Sequence, residues 1–125
     1  MIRIRKVVLP VQDQERAQEF WTTKLGYEVV ADAPYGAERW LEVRSPDHAI
    51  NLVLELNAEP GAGAAPPHLP TSNIMFESDD VEAAHRELAA KGVDFPQPPV
   101  RQPFGWWAMF ADSEGNRFAL GQGDE

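Results

Sequence analysis

The 125-residue sequence contains no cysteine, which excludes disulfide bonds and thiolate metal sites. It also has no apolar run near the length of about 20 residues that a membrane-spanning helix needs, so we expect no membrane partner. Basic residues are few, with 11 Lys and Arg against 20 Asp and Glu. Because phosphate contacts are made by clustered basic side chains, this balance disfavours nucleic acid as a partner.

The opening residues lack the apolar segment of a secretory signal, and together with the missing cysteines this favours a cytoplasmic location. With 43% hydrophobic and 25% charged residues, the composition is typical of a globular domain with a substantial core. The formal net charge of −9 has two interpretations, simple solubility or a field that attracts cationic ligands.

The chain contains an internal repeat. Residues 7–30 and 73–95 each read as strand, Asp, helix, Gly, strand, with an apolar stripe at helical spacing along each helix. Each helix has an aspartate where an N-cap belongs and a glycine where a left-handed C-cap belongs, at Asp13 and Gly26 in the first copy and at Asp80 and Gly92 in the second. The repeat predicts two similar modules.

The rest of each half reads as a hairpin, over residues 38–56 and 105–122, so each module has the order β, α, β, β, β. The intervening segment is rich in Pro, Gly and Ala and has no periodicity, which is typical of a linker. We therefore predict one α+β domain with module one at 1–56, a linker at 57–70 and module two at 71–122.

These residues resemble a known superfamily. VVLPVQDQERAQEFWTTKLGYEV is similar to the opening strand, helix and LG[FY] turn of the vicinal-oxygen-chelate superfamily of glyoxalases, bleomycin resistance proteins and extradiol dioxygenases, and FADSEGNRFAL resembles its closing F.DP.GN..EL hairpin. With NIMFESDDVEAAHRELAAKGV, the similarity covers nearly the whole chain. It implies βαβββ modules whose curved mixed sheets surround a cleft, commonly in a homodimer. The superfamily includes enzymes and non-catalytic drug-sequestering proteins, so its fold does not decide the function.

In metal-dependent members of this superfamily, His, Gln or Glu ligands lie on the first and last strands of each module. The resemblance places these positions at Lys6, Glu55, Asn73 and Ala119. Only Glu55 is a good ligand, because an ammonium has no lone pair, an amide is a weak donor and a methyl group offers none. The histidines do not complete the ligand set. His48 falls in a predicted turn, His68 in the linker and His85 in the second helix. We predict no metal and no cofactor.

The topology that the resemblance implies puts the first and last strands of a module side by side. Lys6 and Glu55 would then project from neighbouring strands on one face, and we hypothesise an ion pair between them where a metal would stand. Burial of such a pair costs desolvation free energy and need not add stability. The pair would therefore serve ligand recognition or be what remains after loss of a metal.

Strand alternation predicts which side chains share a face. If the metal-equivalent positions face the ligand, that face is mixed in polarity, whereas the opposite face is apolar and suits the helix. Trp40 and Trp107 would face the ligand as related flat walls, able to hold a planar or cationic compound, or they would fill the core or a dimer interface. The predicted ligand-binding set is Lys6, Trp40, Glu42, Glu55, Asn73, Met75, Glu77, Trp107, Met109 and Arg117.

Two functions fit these residues. The first is a metal-independent small-molecule binding protein that sequesters an aromatic or cationic compound. The alternative is a glyoxalase-like lyase or isomerase, or a dioxygenase-related enzyme, with an atypical or metal-free site in which Glu42, Glu55 or Glu77 acts as general base with a pKa raised by burial. A dimeric module without a small ligand is a third interpretation.

Overall fold

The computed structural model describes residues 1–57, 66 and 68–122. The chain divides into two compact units, residues 1–60 and 61–125, which we refer to as module one and module two. Most of the predicted linker, residues 58–65 and 67, lies outside the described residues, and the predicted module bounds stay a prediction.

Module one contains β1 (Lys6–Val11), α1 (Gln14–Glu19), β2 (Glu28–Tyr35), β3 (Glu38–Arg44) and β4 (Asn51–Leu56). Its four strands form one sheet in the order β1-β4-β3-β2. The outer strand β1 runs parallel to β4, and the other neighbours are antiparallel. The sheet is therefore mixed, as a βαβββ module requires.

The helix of module one begins as its sequence predicts and ends less regularly. The Asp13 side chain accepts a hydrogen bond from the Arg16 backbone N–H at 3.0 Å, which makes Asp13 the N-cap. Beyond α1 the chain continues as a π-helical turn, Phe20–Lys24. There, the hydroxyl of Thr23 donates to the carbonyl of Glu19 at 2.6 Å, a side-chain bond that competes with the regular helical ladder.

The core of module one lies between this helix and one face of the sheet. Trp21 is fully buried and forms an edge contact with Phe20, with ring centroids 5.4 Å apart. The buried sheet residues of this face are Leu9, Val11, Leu41, Val43, Leu52 and Leu54. The amide of the buried Gln14 donates to the carbonyl oxygens of Leu54 at 2.9 Å and Arg39 at 3.1 Å, so the helix is fixed to the sheet by polar contacts as well.

Module two contains β5 (Met75–Glu77), α2 (Val81–Ala90), β6 (Asp94–Gln102), β7 (Gly105–Ala111) and β8 (Arg117–Gln122). Its strand order, β5-β8-β7-β6, repeats that of module one, with β5 parallel to β8. Asp80 caps α2 by accepting from the Ala83 N–H at 3.0 Å. Gly92, with φ of 91°, follows the helix in the left-handed conformation that the sequence predicts.

An aromatic cluster forms the core of module two. The rings of Phe76, Phe110 and Phe118 contact one another at centroid distances of 5.2 and 5.3 Å. The side-chain oxygen of Gln122 on β8 accepts from the Val81 backbone N–H at 2.7 Å, so the last strand also supports the start of α2. Strand β6 pairs irregularly with β7 because its prolines cannot donate ladder hydrogen bonds.

These observations confirm the predicted fold class, an α+β protein built of two βαβββ modules with mixed sheets. The longest helix in the described part of the chain has 10 residues, and no helix there is long and apolar enough to cross a bilayer.

Candidate functional site

Each sheet carries its helix on one face, and we call the opposite face the open face. In module one, the strand register places Glu42 on β3 beside Val53 on β4, and Val53 beside Val8 on β1. Lys6 lies next to Asn51, one step along the same face. The open face therefore brings together side chains from three adjacent strands.

Glu42 is the centre of a polar cluster on this face. Its Oε1 accepts hydrogen bonds from Lys6 Nζ at 3.1 Å and from Trp40 Nε1 at 3.0 Å, and its Oε2 accepts from Asn51 Nδ2. Glu42 is only 3% exposed, so these donors replace the water that a carboxylate would otherwise bind. We call Lys6, Trp40, Glu42 and Asn51 the Glu42 cluster.

The cluster keeps Glu42 ionised. Burial alone raises the pKa of this carboxyl, but the hydrogen bonds from Asn51, Trp40 and Lys6, together with the Lys6 charge, outweigh burial and hold the pKa below its ordinary value. The expectation of a raised pKa is therefore wrong for Glu42, because its donors favour the charged form. A carboxylate with a lowered pKa is a weak base, which disfavours Glu42 as a general base.

Aromatic rings border the cluster. Lys6 Nζ lies 5.7 Å from the centroid of the Trp40 ring, within the range of a cation–π contact. The ring of Tyr35 lies 5.7 Å from that of Trp40 and is tilted by 50°. Trp40 is half-buried, whereas Tyr35 is 65% exposed and the Lys6 side chain 40% exposed. Module one therefore presents two rings and an ammonium group on the same side of its sheet.

Tyr35 and Asn51 belong to this site, although neither is in the predicted ligand-binding set. Asn51 alternates in phase with Val53, so its presence on the open face follows from the strand period. Tyr35 is harder to find, because it lies at the end of β2, and its position depends on the register of β2 against β3, where Tyr35 pairs with Glu38. That register includes an irregularity between Val29 and Ala31.

The hypothesised ion pair between Lys6 and Glu55 is wrong. The parallel register of β1 and β4 places Glu55 beside Pro10, four residues along β1 from Lys6. The Lys6 side chain instead reaches past β4 to Glu42 on β3. The prediction that the first and last strands of the module are neighbours is correct. The partner of Lys6, however, also depends on the strand register and on the length of the lysine side chain.

The register also relates the two modules position by position. Val53 pairs with Glu42 as Ala119 pairs with Met109, so Val53, and not Glu55, is the module-one counterpart of Ala119. Whether Val53 or Glu55 stands at that position, an ammonium, an amide and an alkyl side chain occupy the other three, and a single carboxylate does not hold a divalent metal. Within residues 1–57, 66 and 68–122, no group of three or more His, Asp or Glu side chains could hold a metal ion.

The open face of module two is mainly apolar. Met109, at the position of Glu42, is 1% exposed, and Met75 on the outer strand is 71% exposed. Trp107 is half-buried, and the ring of Phe104 contacts it edge-on at 6.3 Å. Trp107 precedes Met109 by two residues, as Trp40 precedes Glu42, so the register makes the two tryptophans counterparts, as the sequence predicts.

The remaining residues of the predicted set have different surroundings. The guanidinium of Arg117 donates to the carbonyl oxygens of Pro66 at 2.8 Å and Leu69 at 3.0 Å, which gives Arg117 a structural role. Three further residues of the set are exposed on or near the open faces, namely Glu55, Asn73 and Glu77. Asn73 lies before the first residue of β5. Ligand-binding roles for all ten residues of the predicted set stay predictions.

Comparison with known proteins agrees with the fold. Residues 3–120 match the model of the Glyoxalase/Bleomycin resistance protein/Dioxygenase superfamily. The chain is 33% identical over 119 residues to the uncharacterized protein YetH of Bacillus subtilis (strain 168), covering 94% of this chain and 96% of YetH.

Two solved structures are similar along almost the whole chain. One is TnmS3, an antibiotic binding protein from Streptomyces sp. CB03234, with a TM-score of 0.79, 31% identity and coverage of 99% of this chain and 98% of TnmS3. The other is a superfamily member from Sphaerobacter thermophilus DSM 20745, with a TM-score of 0.80, 28% identity and coverage of 98% of both chains.

Proposed function

The chain belongs to the Glyoxalase/Bleomycin resistance protein/Dioxygenase superfamily, and we propose that within it the protein binds an aromatic small molecule without a metal ion and without altering it. The observation that carries this proposal is the Glu42 cluster, in which a lysine at a metal-equivalent position is paired with a buried carboxylate next to an indole ring. A positive charge at this position repels a metal ion, whereas the adjacent rings favour a planar ligand.

The aromatic residues indicate the class of ligand. Trp40 and Tyr35 in module one, and Trp107 and Phe104 in module two, each form a pair of neighbouring rings with at least one strongly exposed member. Large exposed rings on an otherwise well-packed sheet favour stacking with a flat apolar compound, each contact contributing about 0.5 to 1.5 kcal/mol beyond area burial. The similarity to TnmS3, an antibiotic binding protein, supports binding without reaction.

The alternative, a metal-free enzyme, has weaker support. Its best placed base, Glu42, has a lowered pKa and already accepts hydrogen bonds from three side chains. Glu55 and Glu77 are exposed to solvent, outside any buried site in which a carboxylate would act as an acid or a base. We also propose that the protein is cytoplasmic and forms a homodimer, and sedimentation velocity would measure its assembly state.

Thermal unfolding of chelator-treated protein tests the proposed function. We expect a planar aromatic library to contain compounds that raise Tm, because a ligand that binds only the folded state stabilises it. Mass spectrometry should recover the bound compound at unchanged mass, and Trp40→Leu should reduce the rise in Tm. Exposed Leu69→Ala serves as the control, since Leu69 lies outside the two ring pairs. Stoichiometric transition metal in the untreated protein, together with turnover of the compound, would contradict the proposal.

A further inference from the structure

The open face of module one is acidic in composition but cationic at its accessible centre. Glu42 is buried, and its two oxygens accept three hydrogen bonds from within the cluster. The Lys6 side chain is 40% exposed and uses one of its three ammonium N–H groups on Glu42. The charge that a ligand would meet first at this cluster is therefore the ammonium of Lys6.

Glu42 holds this ammonium in a defined position. The 3.1 Å bond to Glu42 Oε1 and the neighbouring indole ring restrict the otherwise flexible lysine side chain. The cation lies over the Trp40 ring, 5.7 Å from its centroid, so a flat ligand that contacts the exposed part of the indole comes within reach of the ammonium. A ring with an oxygen acceptor at its edge could stack on Trp40 and hydrogen bond to Lys6 at the same time.

We propose that Lys6 selects for charge at this site, so that the ligand is a planar aromatic compound bearing an anionic oxygen, a carboxylate or a phenolate, and not an aromatic cation. This inference rests on the proposed function and makes the ligand class specific. It runs against the net charge of −9, which would attract cations. Long-range attraction is screened beyond about 8 Å at physiological salt, so the group in contact with the ligand decides the preference.

The nearest acidic groups on this face do not remove the effect of Lys6. Glu55 is exposed, but it lies beside Pro10, at the other end of β1 from Lys6. Glu28 is already paired with Arg44 at 3.3 Å. Glu38 lies two residues before Trp40 and beside Tyr35, and it is exposed. None of these three carboxylates is hydrogen-bonded to the ammonium, and all are accessible to water, which weakens their influence on a ligand at Trp40.

Three probes that share a naphthalene ring and differ in charge test the inference, namely naphthoate, naphthalenemethanol and a naphthylmethyl-trimethylammonium salt. Affinity is measured by quenching of tryptophan fluorescence and by calorimetry at about pH 8, far above the ordinary glutamate pKa of about 4.3. For the unmodified protein we expect naphthoate to bind about tenfold more tightly than the alcohol, as one charge-assisted hydrogen bond would give, and the cation to bind most weakly.

Two variants of the ion pair should change naphthoate affinity in opposite directions. Lys6→Met should weaken naphthoate binding by about tenfold and strengthen binding of the cation, because the charge of Glu42 is no longer balanced. Glu42→Gln keeps an acceptor oxygen for Lys6 but removes the charge that neutralises the ammonium, so naphthoate should bind more tightly and the cation more weakly. Lys91→Met, which makes the same change in net charge at the C-cap of α2 in module two, is the matched control and should change none of the affinities.

The possible results separate the inference from the proposed function. Equal binding of naphthoate and the alcohol, tightest binding of the cation, or equal naphthoate affinity in Lys6→Met and Lys91→Met would overturn the inference while aromatic binding stands. Binding of none of the three probes to the unmodified protein would count against aromatic binding itself. If Lys6→Met fails to fold, as circular dichroism would reveal, weaker naphthoate binding by Glu42→Gln overturns the inference instead.

Discussion

The two modules share their strand order and the register of three equivalent strands, β1, β4 and β3 against β5, β8 and β7, but differ at the centre of the open face. Module one has Glu42 where module two has Met109, and both side chains are buried. Around Glu42, donors converge from β1, β3 and β4. Around Met109, the corresponding strands β5 and β8 supply Met75 and Ala119, which have nothing to donate, and the amide of Gln97 on β6 donates to the carbonyl of Pro98. One scaffold therefore supports either a charged or an apolar centre.

The contrast between the modules indicates that a buried carboxylate in this fold depends on its partners more than on its position. The counterpart of Asn51 is Arg117, whose guanidinium donates to carbonyl oxygens of Pro66 and Leu69. The counterpart of Lys6 is Asn73, which lies before β5 begins. Only the tryptophan is common to both modules. A carboxylate at Met109 would thus lack two of the three donors that hold Glu42.

Placing a carboxylate in module two should have the largest effect. Met109→Glu would bury a charge without the donors that Glu42 has, and we expect a loss of about 3 to 5 kcal/mol in the free energy of unfolding, or a large rise in the pKa of the new carboxyl. Urea denaturation at neutral pH measures the change. Met109→Leu is the control and should cost less than about 1.5 kcal/mol. Equal stability of the two variants would show that module two can satisfy a carboxylate after all.

Removing the carboxylate from module one should have a smaller effect. Glu42→Met would make the centre of module one resemble that of module two and would leave the Asn51 amide and the Trp40 indole N–H without their acceptor. We expect the free energy of unfolding to fall by about 1 to 3 kcal/mol, measured by urea denaturation at neutral pH. It should fall by less in Glu42→Gln, which keeps an acceptor oxygen. A Glu42→Met protein more stable than the original would mean that the cluster costs stability and is retained for binding.

The smallest expected effect is the pH dependence of stability that arises from two buried carboxyls, Glu42 and Asp112. Their contributions should change in opposite directions with pH. The pKa of Glu42 is lowered, so its contribution to stability is present above the ordinary glutamate pKa and is lost as pH falls through the folded-state pKa. Burial raises the pKa of Asp112 in module two against the hydrogen bonds it accepts from Asn116 and Glu114, so its contribution is present at low pH and is lost as pH rises through the raised value.

Urea denaturation from about pH 3 to about pH 7 separates the two carboxyls. Glu42→Gln should reduce the loss of stability at the acid end. Asp112→Asn should reduce the loss on the way to neutral pH, since an asparagine oxygen can still accept the backbone N–H groups of Glu114 and Asn116. Parallel curves for the original protein and both variants would contradict the assigned directions.

The fold was accessible from the sequence because its signals are local. Capping residues, the repeated Asp and Gly positions and the period of the strands each act over a few residues, and Asp13, Asp80 and Gly92 behave as predicted. The burial of Leu41, Val43, Ala108 and Phe110 follows from alternation in the same way.

The site could be predicted only in part from the sequence, because its contacts join residues that are distant in sequence. Lys6 and Glu42 were both expected to face the ligand, yet their pairing depends on the register of two strand pairs at once. The alternating pattern is the same for any register shifted by two residues, so it cannot distinguish Glu55 from Glu42 as the partner of Lys6. The direction of the Glu42 pKa depends on the same unseen donors.

The bond between Gln122 and the start of α2 has a practical consequence for protein engineering. The final residue of β8 supplies the acceptor for the first backbone N–H of the helix. A deletion that removes residue 122, or a fused reporter that pulls it out of β8, would leave the first backbone N–H of a helix that begins more than 40 residues earlier without this acceptor. Affinity tags and reporters are therefore best separated from residue 122 by a spacer, so that the attached group leaves this hydrogen bond intact.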